Sequence, residues 1–415
     1  SPGATYAQLN PASVNVENAS VFSISTAGNG WWKNTAFNFT GGNGGGTLNL
    51  GGNPIGASGT TTTFSTSGGA TNKVTGLFNA NNANINLNLV NATSGTALLD
   101  GSFAALAFIQ NVQGGYGLQN ATSINMSGGG GLLVKDKIGA TNFNINAGQV
   151  QIGDGTAATT STTATLEATN ISIAAGAKLT FNRAEAYSNS STITGAGNLV
   201  QAGAGTLTLT GNNNISGTTT VNASTLQIGN GGTTGSLGTG DVILNNNTNL
   251  KFVRAAATTI TNNISGAGNV ITDITGATGG DLTVAGNVSL TGANTVTLKA
   301  SGDISVSASK SIATATGSVL LNSDSDASGS GAIVMNTGSS ISTNGGNITL
   351  GGGSNLIFCA NYPGVIIKNI IHSVDKLSRQ RVTVSAGYGW DEFVQWTIEN
   401  NMHGLETMSG IPGTV

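Results

Sequence analysis

The chain has 415 residues, of which 7% are charged, 5% are aromatic and 64 are glycine, with a net charge of −3. Ordinary soluble domains carry about 25% charged residues. The glycines keep no three-residue period, which excludes collagen, the small net charge gives no footing for a nucleic-acid partner, and one cysteine excludes an intramolecular disulfide framework.

Apolar residues make up 38% and recur in short runs, which argues against simple disorder. No run of about 18 apolar residues exists, so no membrane-spanning helix is expected. The chain starts at Ser1 without Met or a signal peptide, so it is expected to be part of a longer protein.

Composition breaks near Leu350. Residues 1–350 hold 10 Lys/Arg and 12 Asp/Glu; residues 351–415 hold 4 and 5 in a much shorter span. His372, His403, Cys359, Trp390 and Trp396 all lie in the short part. Two units are therefore expected, 1–350 and 351–415.

The long part reads as many strand-sized pieces. Thr47-Leu-Asn-Leu50, Ile85-Asn-Leu-Asn-Leu-Val90, Thr206-Leu-Thr-Leu-Thr210 and Asp281-Leu-Thr-Val284 alternate apolar and polar residues. Period 2 buries one face of a strand. Gly-Asn, Gly-Ala and Asn-Asn pairs bound the pieces, and both Gly and Asn tolerate positive φ. Leu282–Leu298 accommodates three strands with corners of two to four residues. Thr194-Gly-Ala-Gly-Asn198 recurs as Ser265-Gly-Ala-Gly-Asn269, and Gln151-Ile-Gly-Asp-Gly155 as Gln227-Ile-Gly-Asn-Gly231. Irregular repetition of short strands predicts a mainly β fold, a parallel β-helix, with stacked β-sandwich modules as the alternative. Asn, Thr and Ser are expected to form ladders between coils. At about 20 residues per coil, 350 residues give about 17 coils and a rod of about 80 Å.

Chemistry is sparse in this part. It has no His and no Cys, so neither a Ser-His pair nor a His-containing metal cluster is expected. Asp324 and Asp326 read as a solvated turn, and Gly153-Asp-Gly155 is not a calcium repeat. Trp31-Trp32 reads as a packing pair, with stacking on a sugar as the alternative.

Ala202-Gly-Ala-Gly-Thr-Leu-Thr-Leu-Thr-Gly-Asn-Asn-Asn-Ile-Ser-Gly through Leu226-Gln-Ile-Gly229 resembles the passenger-associated repeat of bacterial autotransporters. Ser323–Met335 and Ser342–Leu350 resemble filamentous-haemagglutinin-type exoproteins. Both resemblances imply a right-handed parallel β-helix and type V secretion with an outer-membrane β-barrel translocator as partner. They also imply a secreted, extracellular or cell-surface location and often an adhesive role, with a host or cell-surface ligand that the sequence does not identify.

In the tail, Asn355-Leu-Ile-Phe358, Val365–Ile371 and Arg381–Ala386 read as strands. Trp390, Phe393, Val394, Thr397 and Ile398 form one helix face. Asp391 and Glu392 sit in its first turn, and Gly404 is the expected stop. Gly351-Gly-Gly-Ser-Asn355, Tyr362-Pro-Gly-Val-Ile, Ala386–Val394, Gly404-Leu-Glu and Ser409-Gly-Ile-Pro-Gly-Thr-Val415 follow the order seen in the UDP-N-acetylenolpyruvoylglucosamine reductase (UDP-N-acetylmuramate dehydrogenase) family. The resemblance implies a truncated α+β FAD-binding fragment of a cytoplasmic, NADPH-using enzyme of peptidoglycan synthesis. It assigns Gly351, Gly352, Gly353, Ser354 and Asn355 to the FAD pyrophosphate, and Ser409, Gly410, Ile411, Pro412, Gly413 and Thr414 to the flavin. The family's proton-donating Ser, substrate segment and catalytic Glu would lie beyond Val415. The chain as given is therefore expected to lack that catalysis, and Cys359, His372 and His403 match no catalytic motif. Leu350-Gly-Gly-Gly-Ser354 suits both parents, so the join is either a genuine fusion or a chimera made by recombination or misassembly.

Overall fold

A computed structural model of the chain describes residues 13–17, 21–24, 36–40, 47–50, 60–67, 72–75, 78–79, 84–89, 106–109, 116–135, 137–156, 164–275, 280–326, 331–351, 355–358, 374–378, 381–384 and 388–408. Trp31-Trp32 and Val365–Ile371 lie outside the described residues. Within them, short strands wind into a parallel β-helix. Sheet I runs from Ser13–Glu17 to Ser236–Gly238 and sheet II from Val21–Ile24 to Ser340–Thr343. Sheet III runs from Tyr187–Asn189 to Ile348–Gly351, and sheet IV from Thr258–Ile260 to Asn355–Phe358. The first coils alternate sheets I and II. Sheet III joins at Tyr187, and sheet IV takes the place of sheet I after Gly238.

The alternating pattern explains the strands. Thr47–Leu50, Asn84–Leu89, Leu207–Leu209 and Leu282–Val284 form as expected. Between Leu282 and Lys299 the three strands are Leu282–Val284, Val288–Leu290 and Val296–Lys299, so the second corner has grown to 291–295. Inward residues stack in columns. Leu207 lies beside Leu226, then Leu250, Val270, Val296 and Val319. Each of these is 0–1% exposed. One continuous core runs from Ile85 to Ile341. The column's last member, Ile348, pairs with Val319 and is 40% exposed, because no further rung covers it among the described residues.

The expected polar ladders are present. Asn86, Asn125, Asn144 and Ser172 form one column, in which Asn125 donates to Asn86 at 3.2 Å, Asn144 to Asn125 at 2.8 Å and Ser172 to Asn144 at 2.8 Å. Another joins Thr225, Asn249 and Asn269. A neutral amide both donates and accepts, so it repeats along a column without charge repulsion.

The coil count differs from the expectation. Sheet II has 14 strands among the described residues, one per coil. Its 13 steps span about 62 Å, at about 4.8 Å each. Coils differ in the length of chain they use, since corners can lengthen without disturbing the pairing of the strands. Gly131 opposes Gln149. Lys73 opposes Ala107, nearly twice as far along the chain.

At one corner Asp154 meets Lys135 at 2.7 Å and accepts from the Thr156 N–H at 3.1 Å. Burial pushes its carboxyl up, but these hydrogen bonds and the Lys135 charge outweigh it and hold the pKa below the usual value. A depressed carboxylate pKa adds stability above the ordinary aspartate value of about 4, lost as pH falls through the folded value. Asp154→Asn is therefore expected to destabilise at pH 7 and to narrow its deficit below pH 4, measured by denaturant midpoints across pH.

Parallel pairing continues through position 350. Gly351 opposes Asn322, and Asn355–Phe358 stacks on Ala332–Met335. Beyond it, Val374–Lys376 and Val382–Val384 form an antiparallel pair. The helix Trp390–Glu399 follows, with Asp391 and Glu392 in its first turn and Phe393, Val394 and Thr397 buried. Two expectations need correcting here. Ile398 is 45% exposed, so the face does not bury all five of its residues among the described residues. The helix is closed by Asn400, with Asn401 taking φ +55°, so the chain has already turned before Gly404.

Candidate functional site

The residues that the flavoenzyme resemblance singles out are only partly visible. Gly351 ends the strand Ile348–Gly351, and Asn355 begins Asn355–Phe358; both are paired into the β-helix. Gly352, Gly353, Ser354 and Ser409–Thr414 lie outside the described residues. At Gly351 an added Cβ would meet its nearest neighbour, Asn322 Oδ1, at an ordinary 3.5 Å. His403 pairs with Glu406 at 2.9 Å on the surface. No group of three or more His, Cys, Asp or Glu side chains forms among the described residues. Asp324 sits in a turn with φ +55°, a conformation Asp tolerates.

Chemistry is better concentrated at two related corners. The repeated Gln-Ile-Gly strings each end a strand. Gln151 donates to the Gly153 carbonyl at 2.8 Å and Gln227 to the Gly229 carbonyl at 3.0 Å. The next coil lies close on each glycine. A Cβ on Gly153 would meet the Asn182 carbonyl oxygen at 2.4 Å, and one on Gly229 the Val253 carbonyl oxygen at 2.5 Å. Gly155 N–H donates to Asn182 and Gly231 N–H to Val253. An arginine follows each contact, Arg183 and Arg254. Their segments, Phe181-Asn-Arg-Ala-Glu-Ala-Tyr187 and Phe252-Val-Arg-Ala-Ala-Ala-Thr258, are two copies of one design. Strand periodicity misses this pair. Its signal, Phe-x-Arg-Ala-x-Ala spaced one coil after Gln-Ile-Gly, is present in the sequence but runs from the end of a strand into the corner beyond it, where alternation breaks off.

The two corners differ in how they are filled. Arg183, 8% exposed, donates through Nη1 to the Ala164 carbonyl and lies 4.6 Å from the Tyr187 ring centroid. Tyr187 Oη donates to the Leu166 carbonyl at 3.1 Å and accepts from the Leu166 N–H at 3.2 Å. Burial pulls the Arg183 pKa down, while Tyr187 and Glu185 push it up. At the other corner Arg254 Nη2 donates to the Thr233 carbonyl at 2.7 Å. The Nε atoms of both arginines are buried without a hydrogen-bond partner. Burial alone lowers the Arg254 pKa. Beside it opens a cleft of about 200 Å³, where sheet I ends at Gly238 and sheet IV begins at Thr258. Gly235, Ser236, Phe252, Arg254, Thr258 and Asn262 line it.

Comparison with known proteins gives two separate similarities. The passenger-associated-transport-repeat family matches residues 199–228, from within the strand Asn198–Gln201 to the end of Thr225–Ile228. A second similarity is to UDP-N-acetylenolpyruvoylglucosamine reductases. The protein of Photobacterium profundum is 46% identical over 71 residues, 16% of this chain and 20% of that protein. That of Porphyromonas gingivalis is 38% identical over 71 residues, 16% and 21% of the two chains. That of Alcanivorax borkumensis is 44% identical over 70 residues, 16% and 20%. The chain thus spans about a fifth of the length of the curated relatives it matches. No solved structure matches. The chain joins passenger-type β-helix sequence to a short reductase-like segment. No helix among the described residues is long and apolar enough to cross a membrane.

Proposed function

We propose that residues 1–350 are a rod-like passenger of a type V secretion system, displayed at the cell surface or released, with an outer-membrane β-barrel as translocator and an adhesive role. The observation that supports this is the passenger-repeat match at 199–228 inside a continuous stack of parallel strands. A β-helix suits the role physically. Each coil rests on its neighbour, so the chain can fold progressively as it emerges. Cys-free sequence across 1–350 also leaves no disulfide to obstruct a narrow pore. The test is to express the chain ahead of an autotransporter barrel in a Gram-negative cell. Surface labelling and protease shaving of intact cells should reach residues 1–350, with attachment to host cells as the readout of adhesion. A chain held inside the outer membrane would contradict the reading.

The reductase similarity favours a second reading for residues 351–415. They are a remnant of an FAD module from a peptidoglycan-synthesis reductase, in which Gly351–Asn355 and Ser409–Thr414 are the flavin-facing residues by family resemblance. A 65-residue remnant detached from its flanking strands is near the size at which burial only just offsets chain entropy. Titration of FAD into the full chain is accordingly expected to give no tight, saturable binding. Tight binding that a Gly352→Asp, Gly353→Asp variant abolishes would instead give precedence to the flavin reading.

A further inference from the structure

We propose that the cleft beside Arg254 is a binding site for a small ring-bearing carboxylate. The inference rests on the paired corners. At the first, the chain supplies its own filling: the Tyr187 ring lies against the Arg183 guanidinium at 4.6 Å, and Glu185 adds a negative charge nearby. At the second, Thr258 stands in place of Tyr187 and Ala256 in place of Glu185. The ring and the charge are both deleted while the arginine is kept. Beside Arg254 and Thr258 lies the cleft of about 200 Å³.

Arg254, retained without the ring or the acid, keeps a half-buried charge that a ligand can meet. The complement is a ligand that returns both deleted features. A flat ring stacks on the guanidinium, as aromatic faces do with arginine. A carboxylate accepts charge-assisted hydrogen bonds from the guanidinium. Phe252 and Leu237 give the cleft an apolar floor, and Ser236 and Asn262 a polar rim, the mixture usual for small-ligand sites. The volume suits one six-membered ring with a short acidic arm. Both an aromatic acid and a hexuronic acid carry this chemistry.

The test uses the full chain and two probes, 4-hydroxyphenylacetate and glucuronate, followed by ligand-observed NMR and calorimetric titration. Saturable binding of either probe is expected, and which of the two binds identifies the ring as aromatic or saccharide. Arg254→Gln should weaken it at least tenfold. Thr258→Tyr should abolish it by restoring the ring that fills the first corner, and should melt no lower than the parent. Should Thr258→Tyr fail to fold, Arg254→Gln, which changes a partly exposed side chain, decides alone. Failure of both probes to saturate, or binding undiminished in Arg254→Gln, would overturn the proposal.

Discussion

Leu250→Ala is expected to lower the unfolding free energy by about 2–5 kcal/mol, the cost of opening a cavity in a well-packed core. Leu250 is fully buried and is held between Leu226 on one rung and Val270 on the next. Neither neighbour can collapse into the gap without breaking register, because parallel pairing fixes the backbones at a spacing of about 4.8 Å. Ile348→Ala provides the internal comparison. It sits in the same column but is 40% exposed, so it has less burial to lose and should cost well under half as much. Urea denaturation of both variants measures the difference. Equal losses would show that the columns are not the source of stability.

Gly266→Val is expected to destabilise by about 3 kcal/mol or more, combining backbone strain with overpacking. Gly266 has φ +115°, a region closed to β-branched residues. An added Cβ would lie 2.1 Å from the Leu244 carbonyl oxygen on the previous rung. That oxygen already accepts the Ala267 N–H, so it cannot move aside freely. Gly195 has the same geometry one motif earlier, with φ +117° and the Ile173 carbonyl oxygen at 2.1 Å. This is the physical content of the repeated Gly-Ala-Gly-Asn string. Gly129, whose added Cβ meets nothing within 4 Å, is the control; Gly129→Ala should change stability by less than about 0.5 kcal/mol.

The strands and their inward faces were legible because alternation at period 2 is a direct consequence of pleated backbone. Asn ladders were legible for a related reason, since a charge-poor chain with so much Asn has few other ways to satisfy stacked amides. Coil number was not legible. Dividing the length by one uniform coil cannot register that Lys73 and Ala107 are neighbours across a far longer stretch of chain than Gly131 and Gln149. The handover from sheet I to sheet IV at Gly238 and Thr258 was also hidden, because both strands read alike and only pairing separates them. In the tail, the helix face at Phe393, Val394 and Thr397 was legible from its 3.6-residue spacing, while Ile398 shows that a stripe records capacity for burial and not what packs against it. The arginine cleft escaped because its meaning lies in a comparison between two corners, where what matters is the tyrosine and glutamate that the second one lacks.

Successive coils stack at a constant step along one axis, and this regularity can be measured directly. In a Cys359→Ser background, spin labels at Ser342 paired in turn with Ile243, Thr220 and Val200 test it by pulsed electron resonance. These residues form one column of sheet II, in which Val200 opposes Thr220, Thr220 opposes Ile243, Ile243 opposes Ser265, Ser265 opposes Ser289, Ser289 opposes Ala313, and Ala313 opposes Ser342. The backbone separations should be about 19, 24 and 29 Å, for four, five and six steps of about 4.8 Å. Label distances that climb by about 5 Å from each pair to the next are the predicted result. Distances that fail to increase in equal steps, as in a stack of sandwich modules, would contradict it.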